Sequence, residues 1–75
     1  MKIFLYKWVN CISAMEIVIV NANTKKDADK KFEKWCEMNI EKAPSAYSPR
    51  EFNLQDNEVL YLEKWNESKT KLDEN

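Results

Sequence analysis

The 75-residue chain contains no glycine and no histidine, and only one arginine, two prolines and two cysteines. Each shortage removes a class of chemistry. Without glycine the backbone cannot build the phosphate-cradling loops of P-loop or dinucleotide-binding proteins, which need residues lacking a Cβ. Without histidine, triads and most acid–base schemes have no proton shuttle. Cys11 and Cys36 alone do not supply the closely spaced Cys and His ligands of a zinc site. A cysteine nucleophile needs a base or a helix N-terminus beside it. Cys36 falls late in its helix, where it reads as a buried free thiol, and Cys11 has no evident base. No apolar run reaches the roughly 18 residues of a membrane span. These shortages predict no catalytic residue, no metal and no cofactor, no membrane partner, and a cytoplasmic chain, with a Cys11–Cys36 disulfide left open by the sequence.

Charge is plentiful but nearly balanced, with 33% charged residues and a net charge of −1, so no global field draws polyanions. The basic residues Lys25, Lys26, Lys30, Lys31 and Lys34 alternate with Asp27, Asp29, Glu33 and Glu37, as on a solvated helix face. Beyond Pro44, seven acidic residues outnumber four basic ones. Lys2 and the apolar run after it mimic a signal peptide, but Lys7, Asn10 and Glu16 interrupt the run, and alternation explains it better.

Lys2–Val9 alternates Phe4, Tyr6 and Trp8 with Ile3, Leu5 and Val9, and Met15–Asn21 is rich in β-branched residues, which together predict a hairpin. Asn10 is the residue best suited to its turn. A helix is expected from Thr24, whose hydroxyl and Asp27 three residues on form a capping-box variant. Ala28, Phe32, Trp35, Cys36 and Ile40 supply the apolar spacing of three and four that carries it to about Asn39. After a Pro44/Pro49 loop, Glu51–Gln55 reads as a short strand, Asp56-Asn57 as a turn and Glu58–Trp65 as a last strand. Residues 1–66 then form one domain and 67–75 a fraying polar tail. The fold class expected is α+β: a mixed sheet of three to four strands, in the order strand, strand, helix, strand, strand, with the helix on one face. A right-handed crossover would set the strand after the helix parallel to a hairpin strand. In element order this resembles a ubiquitin-like β-grasp. The closing Asp73-Glu74-Asn75, in place of Gly-Gly, argues against a covalent modifier.

The first and last strands are apolar on both sides, because side chains alternate faces with period two. One helix shields one face, so a second apolar set must be met by something else. That cover is the long loop and tail, a second copy, another protein, or a nucleic acid stacked on the rings. The residues expected to bind are Phe4, Tyr6, Trp8, Tyr61 and Trp65 as anchors, with Glu58 and Glu63 as an acidic rim.

The stretch VIVNANTKKDADKKFEKW resembles small phage- and mobile-element-encoded proteins built as a hairpin, a helix with Ala and Thr at its start, and a final strand. The Lys-, Asn- and Ile-rich, Arg-poor usage suits the same source. That resemblance implies an inhibitor of a host defence protein, of the anti-CRISPR type, acting by surface occlusion in the host cytoplasm. The function expected is therefore a non-catalytic module that binds a host protein or itself, with homodimerisation included. The alternative is a single-stranded nucleic-acid binder using the aromatic sheet face. Only Lys2, Lys7 and Lys64 lie near those strands to hold phosphates, which sets this reading second.

Overall fold

A computed structural model describes residues 2–9, 12–40 and 47–72. The expectations placed on Asn10, Cys11, Pro44 and the end of the tail, 73–75, lie outside the described residues. The elements are β1 (Lys2–Val9), β2 (Met15–Asn21), α1 (Lys25–Asn39), β3 (Arg50–Asn53), β4 (Glu58–Glu63) and β5 (Asn66–Lys71). The fold is α+β in the expected order, with a fifth strand added.

The strands divide into a three-stranded sheet ordered β2-β1-β3 and a separate β4-β5 hairpin. Every pairing is antiparallel, which corrects the mixed sheet. β3 does run parallel to β2, as a crossover through a helix requires, but β1 lies between them. The chain skips one strand because β1 still has a free edge there, where Ile3 stands opposite Phe52 and Leu5 opposite Arg50. β4 does not enter this sheet.

Residues directly opposed across strands share a face. Phe4 pairs with Val20 and Tyr6 with Val18, and this face meets the helix stripe Ala28, Phe32 and Cys36, with Ala22 where the chain turns into the helix. Thr24 caps the helix, its hydroxyl oxygen accepting from the Asp27 N–H at 3.2 Å. The helix ends after Asn39, and the Ile40 N–H closes back on the Cys36 carbonyl at 3.0 Å. The aromatic side of β1 is thus the inner side, and Phe32 and Tyr6 stack at 4.1 Å with planes 5° apart.

The aliphatic side of β1 is covered as well. Ile3 and Leu5 are 9% and 1% exposed, although both point away from the helix. The β4-β5 hairpin lies across them, anchored by charge. Lys7, on their face, donates to the Trp65 carbonyl and to Glu67 Oε2, both at 2.7 Å. Arg50 Nη1 approaches Glu67 Oε1 to 2.8 Å, but off the hydrogen-bonding line, so that oxygen accepts no bond. Lys69 reaches the Asn53 carbonyl at 3.4 Å. Leu60 and Leu62 stand opposite Lys69 and Glu67 in the hairpin and share their inward, half-buried side.

The polar tail expected from 67 onward is therefore a strand through Lys71. Cross-strand charge replaces apolar patterning there: Glu58 faces Lys71 across the ladder and pairs with Lys69 at 3.3 Å. Lys64 opens the connecting turn at φ 53°, a left-handed angle that costs a residue with a Cβ about 1–2 kcal/mol.

Candidate functional site

The seven residues singled out for binding separate into two groups. Phe4 and Tyr6 are each 1% exposed, which corrects their place as surface anchors: the helix, not a partner, covers the rings. Trp8 is half-buried and meets the Phe32 ring edge-on at 5.6 Å. Glu58 does not form a rim either. Its Oε1 accepts from the Gln55 N–H at 2.9 Å while its own N–H donates to the Gln55 carbonyl at 3.1 Å, closing the Asp56-Asn57 turn. The Gln55 bond, then Lys69 and Lys71, outweigh desolvation and hold the Glu58 carboxyl below its usual range.

Tyr61, Glu63 and Trp65 remain on the surface, and the structure gathers them on the β4-β5 hairpin. Tyr61 is 57% and Trp65 49% exposed, and Val59, 45% exposed, joins them. Val59, Tyr61 and Glu63 stand opposite Thr70, Ser68 and Asn66, so they share the hairpin face turned away from the sheet. Trp65 sits at the tip. The Lys7 ammonium lies 5.3 Å from its ring centroid and also binds its carbonyl, which ties the hairpin tip to β1.

Beneath the helix lies a second polar cluster. The Tyr6 hydroxyl donates to Asp29 Oδ1 at 2.6 Å, and Asp29 Oδ2 accepts from Lys25 at 2.8 Å. Tyr47 donates to Glu33 Oε1 at 2.5 Å and packs edge-on against both Tyr6 and Phe32. Burial first, then the Asp29 bond and charge, push the Tyr6 phenol far above its ordinary value. The Glu33 bond, with burial, pushes Tyr47 up to about 12. Burial pulls the Asp29 carboxyl upward, but the bonds from Lys25 and Tyr6 overcome it and leave the group lowered. These bonds tie the helix to the aromatic core through Tyr6 and Tyr47.

A pH dependence follows from the two tyrosines. Both folded values lie above the ordinary phenol value of about 10, so their stabilisation is intact below that pH and is lost as pH rises toward 12 and beyond. Urea midpoints should hold level at pH 8–9 and fall steeply above about pH 10. Tyr6→Phe should flatten that fall, and an unchanged alkaline slope would contradict the Tyr6–Asp29 bond.

Among the described residues no three His, Cys, Asp or Glu side chains converge on a metal position, and no helix is long and apolar enough to cross a membrane. Two open surface depressions, of about 410 and 450 Å3, are lined almost wholly by polar residues of the Asp56-Asn57 turn and the helix N-terminus. Sequence reasoning left Glu67 and Val59 out of the binding set and considered Lys7 only as a phosphate contact. Val59 alternates with Tyr61, Glu63 and Trp65 and belongs with them on that pattern, whereas Glu67 carries no local signal, because its partners are distant in sequence. No protein-family model, curated protein or solved structure matches this chain.

Proposed function

We propose that the chain is a non-catalytic protein-binding module that acts by covering a surface of its partner. This is the manner of the phage-encoded inhibitors of host defence that its sequence resembles. The observation that carries the reading is the outer face and tip of the β4-β5 hairpin. Val59, Tyr61 and Trp65 are all about half exposed there, and Lys7 beneath binds the Trp65 carbonyl at 2.7 Å. Tyr and Trp are the residue types in which binding energy concentrates. Glu63 beside them supplies orientation and on-rate. The single-stranded nucleic-acid reading gains no support, since two rings of its stacking platform, Phe4 and Tyr6, lie inside the protein.

A defence-carrying host challenged with phage tests the proposal. Expression of the chain is expected to restore plaque formation against at least one defined CRISPR or restriction system. Tyr61→Ala and Trp65→Ala should abolish the effect while leaving the circular dichroism spectrum unchanged, each weakening the complex by about 2 kcal/mol or more. Full activity in both variants would remove the hairpin face from the mechanism. Inactivity of the unaltered chain against every system would remove the inhibitor role.

A further inference from the structure

β2 is an edge strand of the three-stranded sheet, seven residues long. The Ala22 N–H bonds the Lys2 carbonyl at 3.3 Å, which fixes the alternation: the even-numbered residues of β2 turn their backbone groups toward β1. The N–H and C=O groups of Met15, Ile17, Ile19 and Asn21 then point outward along the free edge. Lys31 caps the Asn21 carbonyl at 2.7 Å, which agrees with that direction and leaves the middle of the strand open. Native proteins protect such an edge with charge, proline or a short strand. The opposite edge obeys: β3 has four residues, carries Arg50 and Glu51, and receives Lys69 on its Asn53 carbonyl. β2 has Glu16 as its one charge.

The flanks of that edge are apolar on both sides. On the face away from the helix, Ile19 is 51% exposed, with Ile17 and Met15 half-buried along the same strand. On the helix side, Lys31 reaches the strand end, so the helical stripe that continues through Trp35 and Met38 overhangs the same edge. Those two are 38% and 74% exposed.

We propose that two copies of the chain pair antiparallel through β2, joining their sheets into one of six strands. A two-fold axis at Val18 uses the whole strand: Val18 faces its own copy, Ile17 faces Ile19 of the second protomer, and Met15 faces Asn21. All the open backbone groups of Ile17 and Ile19 are then bonded, and the four isoleucines close into one cluster. Charge selects the same register. Glu16 falls opposite Val20 of the other copy, beside its Lys31. Neither Glu16 nor Lys31 takes part in an ion pair among the described residues of one protomer, and the two-fold pairs them twice. The apolar residues Ile19, Trp35 and Met38 are shielded in the same step. This interface is separate from the hairpin face and does not depend on it.

Light scattering and sedimentation across a concentration series test the proposal. The unaltered chain is expected to show twice the 9.0 kDa protomer mass. Ile19→Lys, on a half-exposed side chain, should give a folded monomer. Glu16→Lys and Lys31→Glu should each raise the dimer dissociation constant about ten-fold, through two repulsive contacts per dimer. The double exchange should recover most of that loss. A monomeric unaltered chain overturns the pairing, as does a dimer indifferent to Ile19→Lys, and a double exchange no better than the single changes overturns the register.

Discussion

Phe32→Ala is expected to destabilise the fold by about 3–5 kcal/mol, the range for removing a large buried ring. A domain of this length holds only about 4–11 kcal/mol in total, at roughly 0.05–0.15 kcal/mol per residue, so the variant should be partly or wholly unfolded at room temperature. The size of the effect comes from the neighbours of the ring. Phe32 is 0% exposed, stacks on Tyr6 at 4.1 Å, and receives the edges of Tyr47 at 4.9 Å and Trp8 at 5.6 Å. Strands below and a helix above hold the site open, so the cavity cannot readily collapse. Urea unfolding at neutral pH gives the number, with Phe32→Leu as a volume control expected to lose less than half as much. A loss below about 1 kcal/mol for the alanine variant would mean that the aromatic stack is not the centre of the core.

Removal of Glu67 should have the next largest effect, about 3 kcal/mol for Glu67→Ala. Its side chain is 3% exposed and sits between Lys7, 15% exposed, and Arg50, 65% exposed. Deleting one member of a buried ion pair leaves the other charge desolvated, at about 3–5 kcal/mol. The exposure of Arg50 places the expectation at the lower end. Joint replacement, Lys7→Met with Glu67→Leu, should recover most of the loss, because an apolar pair of similar volume removes both desolvation terms. The effect should also be local. In Glu67→Ala, amide exchange should accelerate through β4 and β5 while β1 and β2 remain protected, since only the hairpin is anchored by this carboxylate. Uniform acceleration across all strands would show instead that the two sheets unfold as one cooperative unit.

Much of this architecture is legible in the residues, and the illegible parts have physical causes. The helix shows through Thr24 and Asp27 at its start and through Ala28, Phe32 and Cys36 along its buried side, since a cap and a stripe are local signals. The β1-β2 hairpin shows through alternation and β-branching. Which side of β1 faces the helix does not show, because both sides are apolar. The choice rests on neighbours, with Val18, Val20 and Ala22 completing the helix side and the hairpin covering Ile3 and Leu5. β5 is hidden for the opposite reason. Its inward residues are Glu67, Lys69 and Lys71, so the periodicity that marks a strand is written in charge, and its meaning depends on Lys7, Arg50 and Glu58 elsewhere in the chain. The candidate binding residues divide along the same line. Tyr61 and Trp65 are displayed because they belong to an outlying hairpin, while Phe4 and Tyr6 belong to the central strand and are consumed by the core.

The thiol of Cys36 lies under the helix, 2% exposed and free, with burial and then the nearby Glu16 and Glu33 charges raising its proton affinity. An alkylating reagent can attack only the thiolate, and only after α1 lifts from the sheet. In a Cys11→Ser background, the labelling rate at this single sulfur therefore clocks how often the two layers part, a native stopwatch for breathing of the core.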